Sequence, residues 1–168
     1  MKYLSELTPA EVLILTRGNV TQQEILKITF IDLLLKQVLK VFDVERQAHI
    51  RQKVRVYKYV GIGQNYNNYN SLNHERVFLS AFGADNTMEM LFRNLVKIGY
   101  QKSRTLSDLK NDIIKTPALK RCFGQNIFQK LFYGYSLTAY GNELKVKVQE
   151  EIQNLGNELS SINSIDNE

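Results

Sequence analysis

The spacing of apolar and polar residues along this chain switches between a helical and a strand-like period, and each switch marks a new element. From Leu7 the spacing is helical. In "LTPAEVLIL", Thr8 stands at an N-cap position, Pro9 at the first helical position and Glu11 at capping-box spacing. Thr8 can accept a bond from the third backbone N–H, and Glu11 can accept one from the cap. Gly18 ends this helix. "TQQE" repeats the signature with Thr21 and Glu24, and Ile25, Ile28, Phe30, Leu33, Leu34 and Val38 then spread a broad apolar surface. Two capped helices around a Gly-Asn turn make a helix-turn-helix candidate. Next the period falls to two. "VLKVFDV" and "KVRVYKYVGIG" alternate, which predicts a two-stranded ribbon over residues 39–60, with "ERQAHI" as loop or hairpin end. Val54, Val56 and either Tyr57 or Val60 take the apolar positions, with Lys53, Arg55 and Lys58 facing away.

"GQNYNNYNSLN" at 63–73 carries no charge and reads as a linker or polar loop. Beyond it a second pass begins. "LNHERVFLSAF" follows the pattern of "LTPAEVLILTR", and Asn86 and Glu89 have capping-box spacing before "LFRNLVKIG". "TLSDLKNDIIKTP" predicts a capped helix ending before Pro117. "YGYSLT" predicts a short strand over 133–137, with Thr138 capping a final helix and Gly141 in its first turn allowing close packing. Leu144, Val148, Ile152, Leu155, Leu159 and Ile162 form a heptad-like stripe along that helix. The fold class expected is mainly α with small β-hairpins, winged-helix-like, and tandem if the two passes are true repeats. The domains expected are 1–62, a polar linker or loop at 63–72, and 73–168 with the long last helix.

Composition narrows the classes. The chain has 168 residues, 43% apolar and 23% charged, which suits a globular protein of one or two domains. No apolar run reaches the roughly 18 residues of a spanning helix, and the start does not read as a signal peptide. Cys122 is the only cysteine, so neither an intrachain disulfide nor a cysteine zinc cluster is available, and the cytoplasm is the expected location. The net charge is +5. Residues 40–58 hold six basic against two acidic side chains, residues 93–130 nine against two, and the tail from 143 is acidic. Such runs are commonly solvated faces, yet they also suit an anionic partner.

"YSLTAYGNEL" resembles the wing-to-last-helix junction of winged-helix regulators of the multiple-antibiotic-resistance and phenolic-acid-repressor types. There, a strand ending in Leu-Thr is followed by two residues, Gly and a helix. Leu137, Thr138 and Gly141 match here. The resemblance implies a DNA-binding regulator that dimerises through helices after the wing. A second likeness runs from Leu7 to Leu39, where "EVLIL" and "EILKITFIDLLLKQVL" look like the helical repeats of the Golgi phosphoprotein family. That likeness implies binding of anionic lipid headgroups, but the family's basic pocket does not map onto this chain.

No catalytic constellation is found, so the chain is expected not to be an enzyme and to need no cofactor or metal. His49 and His74 are 25 residues apart, without metal spacing to each other or to Cys122, and read as surface or capping residues. Arg121 next to Cys122 would favour the thiolate, against the commoner half-buried structural thiol. "GIG" at 61–63 lacks the features of a phosphate loop, and Glu150 and Glu151 read as solvated. The best candidate is "RQKVRVYKYV": Arg51, Lys53, Arg55 and Lys58 as phosphate contacts, with Tyr57 or Tyr59 stacking on a base or sugar. The helix 25–39 offers only Lys27, Asp32, Lys36 and Gln37 outward, a poor set for reading base edges. The expected function is therefore nucleic-acid binding or regulation through a basic wing. The alternatives are a protein-interaction scaffold and an anionic-headgroup binder. Leu144, Val148, Ile152, Leu155 and Leu159 are expected to join a homodimer.

Overall fold

The capping box at Thr8 forms as the sequence requires. In a computed structural model, which describes residues 2–47, 53–83, 88–124 and 135–165, Glu11 N donates to Thr8 Oγ1 at 3.3 Å and Thr8 N to Glu11 Oε2 at 2.7 Å. This starts α1, Pro9–Thr16. In chain order there follow α2 (Gln22–Leu35), β1 (Leu39–Arg46), β2 (Arg55–Ile62), α3 (Arg76–Leu79), β3 (Glu89–Leu91), α4 (Phe92–Lys102), α5 (Leu106–Ile114), β4 (Phe123–Gly124), β5 (Ser136–Leu137) and α6 (Ala139–Ile165). The chain is thus helix-rich with small antiparallel sheets. No described helix is long and apolar enough to cross a membrane.

The chain divides into two compact units, one of residues 1–21 with 110–168 and the other of residues 22–109. This differs from the division expected at 62 and 73, and it puts α1 and α2, the two helices of the helix-turn-helix candidate, in separate units. The physical reason lies in the polar segment after β2. It folds back on α2 instead of linking domains: Asn65 Nδ2 donates to Lys36 O at 2.9 Å, and Lys36 Nζ lies 3.2 Å from the Tyr69 hydroxyl.

In the first unit α1 packs on α6, burying Ala10, Ile14 and Leu15 of α1 and Leu144 and Val148 of α6. The β4–β5 hairpin pairs Phe123 with Leu137 and Gly124 with Ser136. Thr138 then caps α6: Gly141 N donates to its Oγ1 at 3.0 Å, and Thr138 N donates to Cys122 O at 2.9 Å. Gly141 has to be glycine, because a Cβ there would lie 2.2 Å from Cys122 O. Glu151 is not a freely solvated carboxylate. It accepts the backbone N–H groups of Lys2, Tyr3 and Leu4 at 2.7, 3.2 and 2.9 Å, which holds its pKa below the usual carboxylate value.

In the second unit the strands form an antiparallel sheet in the order β1-β2-β3. β3 was not expected. Glu89 had been assigned to a helix cap with Asn86, but Glu89–Leu91 is extended and pairs with β2, while Asn86 lies outside the described residues. α2 ends in a Schellman arrangement, with Val38 N donating to Leu33 O and Gln37 N to Leu34 O, both at 2.9 Å. Gln37 takes the left-handed position at φ 56°, where glycine is usual. β2 closes against this turn at Gly63, whose N–H donates to Val38 O at 2.8 Å and where a Cβ would lie 2.1 Å from Gln37 O. The second glycine of "GIG" therefore serves a close backbone approach. Ile25, Leu33, Val38, Leu39, Val60, Phe78 and Leu95 are among the unit's buried core residues.

Candidate nucleic-acid interface

The register of β1 and β2 decides which side chains share a surface. The pairs run from Leu39 with Ile62 to Arg46 with Arg55. Residues directly opposite in an antiparallel pair lie on the same face, and alternate residues change face. One face therefore carries Lys40, Phe42, Val44 and Arg46 of β1 with Gly61, Tyr59, Tyr57 and Arg55 of β2. The other carries Leu39, Val41, Asp43 and Glu45 with Ile62, Val60, Lys58 and Val56. β3 extends the first face by Glu89 and Leu91, opposite Gly61 and Tyr59, and the second by Met90, opposite Val60.

The first face is aromatic at its centre and carries cations at its ends, with Glu89 on the strand beyond Gly61 at the Lys40 end. The rings of Phe42 and Tyr59 stack, with centroids 6.2 Å apart and planes at 27°. Lys40 Nζ lies 5.6 Å from the centre of the Phe42 ring, and the Arg46 guanidinium 5.2 Å from that of Tyr59. A depression of about 520 Å³ opens beside them, lined by Arg46, Gln47, Lys53, Arg55, Tyr57, Tyr59 and Leu91. Lys40, Arg46, Lys53 and Arg55 are exposed, and among the described residues none of them is in an ion pair. Arg46 and Arg55 are directly opposed across the ribbon. Like charges in that relation repel, and the Arg46 guanidinium lies over the Tyr59 ring.

The expected site is thus brought together in part. Lys53, Arg55 and Tyr57 share the depression with Tyr59. Lys58 does not join them. Its odd spacing from Lys53 and Arg55 puts it on the opposite face, where Nζ pairs with Asp43 Oδ1 at 3.1 Å. Arg51 and His49 lie outside the described residues. The sequence reading missed Lys40, Phe42, Arg46 and Leu91. The first three were findable, since "LKVFDVER" alternates across its whole length and Arg46 belongs to the strand, not to the loop assigned to it.

The stripe on the last helix also divides. Leu144 and Val148 are buried within their own chain, so they cannot meet a second copy as expected. Ile152 and Leu159 remain 43% and 60% exposed, with Leu155 half-buried between them.

The titratable residues are placed differently from expectation. His74 is neither surface nor cap: it is 1% exposed, and burial with the nearby charge of Lys36 lowers its pKa from 6.5 to about 4. Beside it in sequence, the fully buried Glu75 accepts the Tyr69 hydroxyl at 2.6 Å and Leu72 N at 2.7 Å, while Lys36 pairs with Asp32 at 2.6 Å. Cys122 is buried, and that burial raises its thiol pKa against the opposing pull of Arg121. No group of three His, Cys, Asp or Glu among the described residues is arranged to hold a metal. No protein-family model, curated protein or solved structure matches this chain.

Proposed function

We propose that this chain is a nucleic-acid-binding protein that holds its ligand on the Lys40–Phe42–Tyr59–Arg46 face of the ribbon. The observation that carries the reading is the opposed pair Arg46 and Arg55, with Lys53 in the same depression, Lys40 at the far end of the face, and no carboxylate paired to any of the four among the described residues. Guanidinium groups suit phosphate oxygens because their planar fork matches two oxygens at once. The aromatic centre distinguishes this surface from an ordinary solvated basic face. α2 offers little to a duplex groove, since Asp32 is buried and both it and Lys36 are tied into the cluster with Glu75. The likeness of "YSLTAYGNEL" to winged-helix regulators points to the same class of ligand.

The test is a salt titration of binding to nucleic acid and, in parallel, to vesicles containing anionic lipid. Four phosphate contacts would weaken binding between 50 and 200 mM salt roughly fiftyfold for a single strand and roughly 150-fold for a duplex. Stronger binding to the vesicles would favour the headgroup alternative. A scaffold is the second reading, favoured by an apolar depression of about 490 Å³ lined by Leu26, Phe30, Ile31, Leu34, Phe92 and Tyr100 among others. Binding to neither nucleic acid nor vesicles would leave that reading standing.

The same proposal includes a homodimer joined through the outer half of α6, because Ile152 and Leu159 are exposed on one stripe. Replacing Leu155 and Leu159 with Lys is expected to give a folded monomer in sedimentation. A wild-type chain that stays monomeric at high concentration would remove the dimer.

A further inference from the structure

We infer that the ribbon face selects single-stranded nucleic acid over duplex, laying bases on Phe42 and Tyr59 and phosphates on Lys40, Arg46, Lys53 and Arg55. The inference rests on the nucleic-acid reading above and narrows it to one class of ligand.

Three observations carry it. The first is the order of groups. Lys40, Phe42, Tyr59 and Arg46 follow one another as cation, ring, ring, cation, through contacts of 5.6, 6.2 and 5.2 Å. A base would take the place of Lys40 or Arg46 over a ring and free that cation for the phosphate; it can do so only after leaving its own helix, and stacking tolerates any sequence because every base has a π-face. Duplex bases are already stacked on one another and show only their edges.

The second observation is what the centre lacks. A two-stranded ribbon fits the major groove, where edges are read by Arg, Lys, Asn, Gln, Asp, Glu, Ser or Thr. Between its terminal cations this face presents Phe42, Val44, Tyr57 and Tyr59, with Leu91 beside Tyr59. Only the two phenol hydroxyls among these could bond a base edge.

The third observation is width and length. β3 adds a third strand beside Tyr59 and Gly61, so the surface there is a sheet, broader than a groove-entering ribbon. From Lys40 to Arg46 it runs about 20 Å at the rise of an antiparallel strand, which accommodates a few nucleotides. The depression holding Tyr57, Lys53 and Arg55 continues the path past the second ring.

The experiment uses the whole chain with labelled oligo-dT, oligo-U and a duplex of equal length at one salt concentration. The chain has no tryptophan, so the indole of the F42W variant is a lone reporter whose emission a stacked base would quench. Single strands are expected to bind roughly tenfold more tightly than duplex and to quench that indole. Tyr59→Leu, which keeps bulk but removes the ring, is expected to weaken single-strand binding roughly tenfold and so to remove its lead over duplex. Tyr57→Leu, read by anisotropy, supplies the same comparison if the first variant unfolds in circular dichroism. Duplex binding as tight as single-strand binding, or ring-deleted variants with unchanged affinity, would overturn the selection while leaving nucleic-acid binding intact. Binding of neither form would overturn both.

Discussion

β2 carries two surfaces that differ in almost every respect, although their residues alternate along one strand. Val60 is wholly buried, and on the same face Lys58 is neutralised by Asp43. On the other face, Arg55 is exposed opposite Arg46, and Tyr57 and Tyr59 are half-buried beside a depression. The Val60 face is the more settled of the two: Val60 is buried and Lys58 has its carboxylate, although Val41 and Val56 are exposed there. The aromatic face is left with opposed cations and half-buried rings. A surface of that kind is easier to explain by a ligand than by folding, since folding alone favours the arrangement seen one residue away.

The largest expected effect on stability is in acid, and it belongs to neither face but to the buried segment after β2. His74 is neutral in the folded state and has no hydrogen-bond partner at Nδ1 among the described residues. Its pKa is depressed from 6.5 to about 4, so the unfolded chain takes up the proton first. Its influence is absent above pH 6.5. As pH falls from 6.5 to about 4, stability should drop by up to about 3 kcal/mol from this group. Denaturant unfolding of wild type and His74→Gln across that range checks this: the variant should show the shallower decline, and parallel declines would contradict it.

A smaller effect separates the two faces directly. Val60→Ala should cost about 2 kcal/mol, by analogy with other buried truncations, and leave nucleic-acid affinity unchanged in the folded fraction. Tyr57→Ala should do the reverse, with less than about 1 kcal/mol lost from a half-exposed site and a clear loss of affinity. Thermal melts and anisotropy on both variants make the comparison. The smallest effect is a gain. Gln37→Gly relaxes the left-handed position between α2 and β1 without touching either face, and should stabilise the chain by roughly 0.5 to 1 kcal/mol.

Much of this was legible in the sequence. The ribbon over 39–60, the cap at Thr8, the helix after Thr105 and the Thr138–Gly141 junction all rest on local rules, and local rules describe them well. The cations of the site were legible by type but not wholly by side. The sequence reading sets Lys58 with Lys53 and Arg55 on the outward side of the alternating strand, whereas strict strand parity separates it. The alternation of "LKVFDVER" puts Phe42 and Arg46 on one face, but only the register of β1 against β2 sets them opposite Tyr59 and Arg55. The three-residue β3 is too short to impose a period of its own. The fold-back of 63–75 depends on contacts such as Asn65 to Lys36 and Lys36 to Tyr69, which unite residues far apart in the chain and leave no periodic trace. Burial of His74 was hidden for the same reason.

The contrast between the faces gives the most direct measurement: the salt dependence of single-strand binding in Lys53→Ala with Arg55→Ala, set beside Lys58→Ala. Removing the first two cations should weaken binding for every sequence and reduce the slope of log K against log salt by roughly 1 to 2. Removing Lys58, three residues away on the same strand, should leave both affinity and slope as in wild type. Equal losses from the two variants, or none from the double variant, would contradict a nucleic-acid site confined to the aromatic face.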